Sequence, residues 1–151
     1  MKRLVFIALV LILSSSVCFA SDIYFSTKGK YVEGRAVKPV NKEFISQLDT
    51  LYEKTCDSLA VNKKPFGLKV VFYETDKELD NFYGSTLPHK AFYQASENTI
   101  YASIQSMSDG MMAHEIAHAL VYREVGNKAN IKMQEVLAKY AEYVVLNPRA
   151  K

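Results

Sequence analysis

Cysteine is nearly missing from this chain of 151 residues: there are two, at positions 18 and 56, and tryptophan is absent altogether. A disulfide scaffold is therefore excluded, as is a structural zinc site closed by four thiolates. Glycine and proline are sparse as well, at 6 and 4 residues, which rules out collagen-like and low-complexity architectures. The chain also lacks a strong charge of either sign. Its formal net charge is +3, and setting aside Lys2 and Arg3, which fall in a leader discussed below, reduces the 19 basic residues to 17 against 16 acidic ones. So weak a field, with no Lys/Arg run interleaved with aromatics, argues against nucleic-acid binding. Beyond the N-terminus no apolar run approaches the roughly 18 to 20 residues of a membrane-spanning helix. What is present, 49% hydrophobic and 23% charged residues, is the composition of one globular domain.

Met1 to Ala20 has the order of a secretory signal peptide: Lys2-Arg3, an apolar run from Leu4 to Leu13, Ser14-Ser15-Ser16, then Val17-Cys18-Phe19-Ala20. Cleavage is expected after Ala20. The apolar run covers about 15 Å at 1.5 Å per residue, half the hydrocarbon core of about 30 Å, so an uncleaved anchor is the poorer reading. A lipid-modified Cys18 calls for a small residue before it, and Val17 is a poor one. The expectation is an exported chain, periplasmic or secreted, with a single domain over residues 21–151 and no membrane span once the leader is gone. Cys56 is then its only cysteine and reads as a small packed helix residue, since no base stands near it.

From Ser21 to Val40, Ile23-Tyr24-Phe25 and Tyr31-Val32 suggest extended or hairpin structure, punctuated by Gly29, Gly34 and Pro39. Asn41 is placed to cap a helix through about Ala60, with Phe44, Leu48, Leu51, Tyr52 and Leu59 at helical spacing. Pro65-Phe66-Gly67 breaks it, and Leu68 to Tyr73 is a β-branched and aromatic run suited to a buried strand. A helix from Thr75 carries Leu79, Phe82 and Tyr83 and stops at Gly84. Ala91-Phe92-Tyr93-Gln94, a turn at Ser96-Glu97-Asn98 and Thr99 to Ile104 read as a hairpin, with Pro88 at its entrance. Ser108-Asp109-Gly110 opens a helix running to about Val125, and Gly126-Asn127 stops it. The last helix spans about Ile131 to Leu146, with Met133, Val136, Leu137, Tyr140 and Val144 forming the stripe expected to be buried. The fold class that follows is α+β, with a short mixed or antiparallel sheet.

The penultimate helix contains His114-Glu115-Ile116-Ala117-His118, an H-E-x-x-H pattern on a segment read as helical for independent reasons. Residues i and i+4 stand one above the other, so two imidazoles can approach one ion from one face. Glu115 lies about 100° round, able to reach a water on that ion without ligating it. Random placement of the chain's histidines and glutamates would produce the pattern in about 0.4% of arrangements, so chance is a weak explanation. A catalytic zinc site needs a third protein ligand. Beyond His118 there is no His, Cys or Asp, and the remaining conventional ligands are Glu124, Glu135 and Glu142. Glu124 lies about 120° off the face of His118, so the search points to the last helix. There the apolar stripe alone would put Glu135 on the opposite, solvated side, although Ile131, Ala138 and Leu146 share its face. Glu142 falls within about 20° of Glu135 and is the alternative ligand or a hydrogen-bonding partner behind the first three.

These residues resemble the gluzincin metallopeptidases, and within them the small peptidase-MA-like domains. That pattern is H-E-x-x-H, a short connection, then a helix opening E-G-L-A-x-Y; here the run is Glu135-Val136-Leu137-Ala138-Lys139-Tyr140. The resemblance covers Met111 to Tyr143 and departs from the pattern where Val136 replaces the glycine and Lys139 an orienting Asp. It implies a small zincin-like domain in which His114, His118 and Glu135 bind Zn2+ and Glu115 is the general base. A zinc-bound water activated by Glu115 would then attack a peptide bond of a peptide or protein substrate. Tyr140, Tyr143 and His89 are the candidate donors to the oxyanion, Tyr140 foremost. The competing expectation is a catalytically silent domain of the same fold that binds metal or peptide.

Overall fold

The computed structural model describes residues 25–84 and 89–148. The expected leader, together with Ile23, Tyr24 and Pro88, lies outside the described residues. Five strands form one sheet: β1 (Phe25–Lys28), β2 (Val32–Ala36), β3 (Leu68–Tyr73), β4 (Ala91–Gln94) and β5 (Thr99–Ser103). Their spatial order is β1-β2-β3-β5-β4. The pairs β1/β2 and β4/β5 are antiparallel, whereas β2/β3 and β3/β5 are parallel. The sheet is therefore mixed, hairpin-paired at both sides and parallel at its centre, and the protein is α+β. The expected hairpin at Ala91 turns through a 3-10 segment, Ala95–Glu97, with Asn98 in the left-handed region at φ 50. Its second strand ends at Ser103, because Ile104 opens another 3-10 turn.

Four helices complete the fold: α1 (Lys42–Leu59), α2 (Asp76–Tyr83), α3 (Asp109–Val125) and α4 (Ile131–Leu146). Each begins on a side-chain cap that its sequence supplies. Asn41, Thr75, Ser108 and Asn130 accept backbone N–H bonds from Glu43, Glu78, Met111 and Met133, satisfying donors that a helix start leaves unpaired. Leu68, Val70 and Phe72 on one face of β3 join Ile45, Leu48, Leu51 and Tyr52 of α1 and Met112, Ile116 and Leu120 of α3 in the main core. On the opposite face Tyr73 meets Phe82 of α2, ring centroids 5.3 Å apart.

Two polar devices tie this core to its edges. The Asp49 carboxylate on α1 accepts the backbone N–H groups of Lys30, Tyr31 and Val32 at 2.5, 2.8 and 3.1 Å, holding the β1–β2 turn against the helix. Gly29 is required beside it: a Cβ there would lie 2.3 Å from Asp49 Oδ2. Arg123, in the last turn of α3, donates to Tyr52 Oη at 2.8 Å, to the Asn62 carbonyl at 2.9 Å and to the Lys64 carbonyl at 3.3 Å.

The buried side of α4 differs from the stripe expected of it. Ala138 and Ala141 are buried, as is Val144 of that stripe, while Met133, Val136 and Tyr140 face outward, about half exposed. The reason is steric. α4 packs on α3 through Ala117, Ala138 and Ala141, all fully buried, and a Cβ on Gly110 would lie 2.9 Å from Leu146 Cδ1. So close a contact admits only the smallest side chains at the seam and turns the bulkier apolar residues away.

Asp49→Ala leaves three backbone donors without their acceptor, so chemical denaturation should show a loss of about 3 kcal/mol. Asp49→Asn, whose amide oxygen still accepts, should lose about half of that; an Ala variant within about 0.5 kcal/mol of the parent would refute this account of the turn.

Candidate metal centre

The site is built where α3 and α4 run antiparallel. A 3-10 turn, Gly126–Lys128, reverses the chain between them, with Gly126 at φ 57, where a side chain would be strained. On α3 the one-turn spacing brings His114 Nε2 and His118 Nε2 to 3.1 Å. From α4 the Glu135 carboxylate places Oε1 3.4 Å from His118 Nε2 and Oε2 3.6 Å from His114 Nε2. Among the described residues these three form a group able to hold a metal ion. Zinc bonds of about 2.0 to 2.1 Å in a tetrahedron put neighbouring ligand atoms about 3.3 Å apart. The three separations fall close to that value, so the donor set and its geometry both fit zinc.

Glu142 takes a different place. Its Oε2 lies 3.3 Å from His114 Nδ1, the ring nitrogen that faces away from Glu135. A carboxylate there accepts the Nδ1 proton, fixes the tautomer and leaves the Nε2 lone pair directed at the shared point. Glu124, the other glutamate beyond His118, is turned to its neighbour Arg123, whose Nε donates to it at 2.7 Å.

Glu115 is buried, 9% exposed, one position along from His114. Loss of solvent pushes its carboxyl up to about 7, with the nearby Glu135 and Glu142 charges adding to the rise and a hydrogen bond from the Tyr93 backbone opposing it. His118 is shifted the other way: burial disfavours its cation, the neighbouring His114 adds to this, and Glu135 partly offsets both. An uncharged imidazole is the form that offers a lone pair to a metal.

These groups open on a cleft of about 330 Å3 lined by Phe92, Tyr93 and Ala95 of the β4 hairpin, Tyr122 of α3, and Gln134 beside Glu135. Tyr140 and Tyr143 are not among the lining residues. Both are more than half exposed on the outer side of α4. His89 is also elsewhere: its backbone N–H donates to Asp80 at 2.8 Å and its ring packs against Tyr83 and Phe92. Two tyrosines do line the cleft: Tyr93, whose hydroxyl donates to Asn98 Oδ1 at 3.1 Å, and Tyr122, which the sequence reading passed over. Its signal was available, because Tyr122 stands four residues after His118 and eight after His114, on their face of the helix.

Compared with protein-family models, with curated proteins and with solved structures, the chain matches none. The chemistry is accordingly read from the residues. They offer two imidazoles and a carboxylate converging on one point, a buried carboxyl of raised proton affinity beside it, and a phenol in the same cleft.

Because the folded state holds the Glu115 proton up to about pH 7 and the unfolded state releases it near the ordinary 4.5, the folded chain binds more protons between these values. Stability of the metal-free chain should therefore fall as pH rises through that window. Glu115→Gln removes this term, so its thermal denaturation curves from pH 5 to pH 8 should diverge from the parent's, approaching roughly 3 kcal/mol at the alkaline end. Parallel curves would show that burial does not raise this carboxyl.

Proposed function

We propose that this chain is an exported, zinc-dependent peptidase of the gluzincin type. The observation that carries the reading is the convergence of His114 Nε2 and His118 Nε2, 3.1 Å apart, with the Glu135 carboxylate, whose Oε1 lies 3.4 Å from His118 Nε2 and Oε2 3.6 Å from His114 Nε2, and with buried Glu115 beside them. Two imidazoles and a carboxylate suit zinc, and three protein ligands leave a fourth position for the reaction. A bound zinc supplies a Lewis acid that polarises a carbonyl and lowers the pKa of water towards about 7.

The chain's own residues supply the rest. Glu115, buried beside the histidines, would accept a proton from the attacking water and return it to the leaving nitrogen. Glu142 orients His114 from behind. Tyr122, which lines the cleft, would donate a hydrogen bond to the developing oxyanion. β4 stands at the free edge of the sheet and contributes Phe92 and Tyr93 to the cleft wall, an arrangement suited to an extended peptide lying alongside. The apolar leader over residues 4–13 supports export.

Metal analysis should find one zinc per chain, with affinity lowered by about 100-fold or more in His114→Ala and Glu135→Ala. Undiminished binding in Glu135→Ala would transfer the third ligand to Glu142. On a peptide library, Glu115→Gln should keep the zinc and lose hydrolysis by about 1,000-fold, while Tyr122→Phe should lower kcat by about 10- to 100-fold. Stoichiometric zinc without hydrolysis in the parent chain would favour the silent, metal-binding alternative.

A further inference from the structure

The outer face of α4 is unusual for a helix of a chain whose charges nearly balance. The helix has four charged residues, and both carboxylates, Glu135 and Glu142, are turned to the histidines. Lys132 and Lys139 remain on the exposed side and make no ion pair among the described residues. Beside them Met133, Val136, Tyr140 and Tyr143 are each more than half exposed. Positions 133, 136, 140 and 143 repeat at the spacing that lines one face of a helix, so the ridge runs the length of the element. Lys128 precedes the helix, and the sequence continues past it with Arg149 and Lys151. Among the described residues this face thus sets Lys132 and Lys139 beside one apolar ridge, while Glu135 and Glu142 are engaged with the histidines.

We propose that this face docks on an anionic lipid surface. Charge complementarity selects the partner, since the lysines that border the ridge make no ion pair among the described residues, Glu135 and Glu142 being engaged with the histidines. A second copy is disfavoured on the same ground: two-fold pairing of α4 with itself would bring Lys139, near the middle of the helix, against its own image without a counter-charge. A ridge one helix wide has no pocket to receive an anchoring side chain from a protein partner, whereas a lipid interface needs none. The side-chain types fit that interface. Met133 and Val136 enter the boundary between headgroups and acyl chains, the Tyr140 and Tyr143 phenols stay at headgroup level, and the lysine stems extend their ammonium groups to lipid phosphates. No helix among the described residues is long and apolar enough to cross a membrane, so this contact is peripheral. The ridge lies about 120° round α4 from Glu135, which leaves the cleft open beside the lipid surface. The docking rests on the outer face alone and does not require the metal reading.

Co-sedimentation tests it, using the full chain and the chain beginning at Ser21 with vesicles of equal parts phosphatidylcholine and phosphatidylglycerol, beside vesicles of phosphatidylcholine alone. Both chains should bind the anionic vesicles and release as salt rises. Reversing Lys132 and Lys139 to Glu should weaken binding by about 30-fold or more, and Val136→Glu with Tyr140→Glu should abolish it, with helical circular dichroism unchanged. Equal binding to both vesicle types, binding confined to the full chain and unaffected by the α4 variants, or no binding would each overturn the proposal. So would concentration-dependent dimerisation in vesicle-free solution that Val136→Glu abolishes, which would assign the ridge to a second copy.

Discussion

The contact between α3 and α4 is made by the smallest side chains available, and the candidate centre exists because of it. Ala117, Ala138 and Ala141 are fully buried at the seam, and Gly110 meets Leu146 where a Cβ would collide. Alanine buries little area, so the seam contributes less hydrophobic stabilisation than a leucine-lined contact of the same length. What it contributes is proximity. Glu135 comes from a different helix than the histidines, and its oxygens reach within 3.4 and 3.6 Å of their ring nitrogens. The same constraint decides which side of α4 faces solvent, so the inward carboxylates and the outward ridge are two results of one packing choice.

Much of this was legible from the sequence, for identifiable reasons. Caps at Asn41, Thr75 and Ser108 marked helix starts because a short polar side chain before an apolar-periodic run has few other uses. The buried strand at Leu68 to Tyr73 showed itself by β-branched and aromatic residues between Gly67 and the turn at Glu74. His114, Glu115 and His118 stood out because their geometry is local to one helix turn. The orientation of α4 was not legible, since periodicity ranks faces by size and hydrophobicity, and a close helix contact prefers alanine over valine, methionine or tyrosine. Tyr140, the foremost donor candidate, lies on the outer side of α4, whereas Tyr122 lines the cleft. The parallel pairing of β3 with β2 and β5 lay beyond local pattern, because it depends on how α1 and α2 carry the chain across the sheet.

The electrostatics of the centre are one-sided. Glu115, Glu135 and Glu142 surround His114 and His118, and none of the three carboxylates pairs with a lysine or arginine among the described residues. Burial and the mutual repulsion of the acids both act on Glu115, which answers by retaining its proton. A divalent cation at the point shared by His114, His118 and Glu135 would balance the excess and draw that proton affinity down. The proton on Glu115 is therefore coupled to the ion: metal capture would release protons, and acid would weaken capture.

Arg123 acts at a distance from all of this. Its guanidinium joins the end of α3 to Tyr52 of α1 and to the carbonyls of Asn62 and Lys64, and it lies 5.3 Å over the Phe66 ring. The bonds oppose twisting of α3 about its own axis. A twist of about 20° would carry an imidazole, about 6 Å from that axis, through about 2 Å and out of reach of Glu135. The loop between α1 and β3 thus works as a torsional brake on the two histidines, so their aim is set when the chain folds and little orientational freedom is left to lose when a ligand arrives.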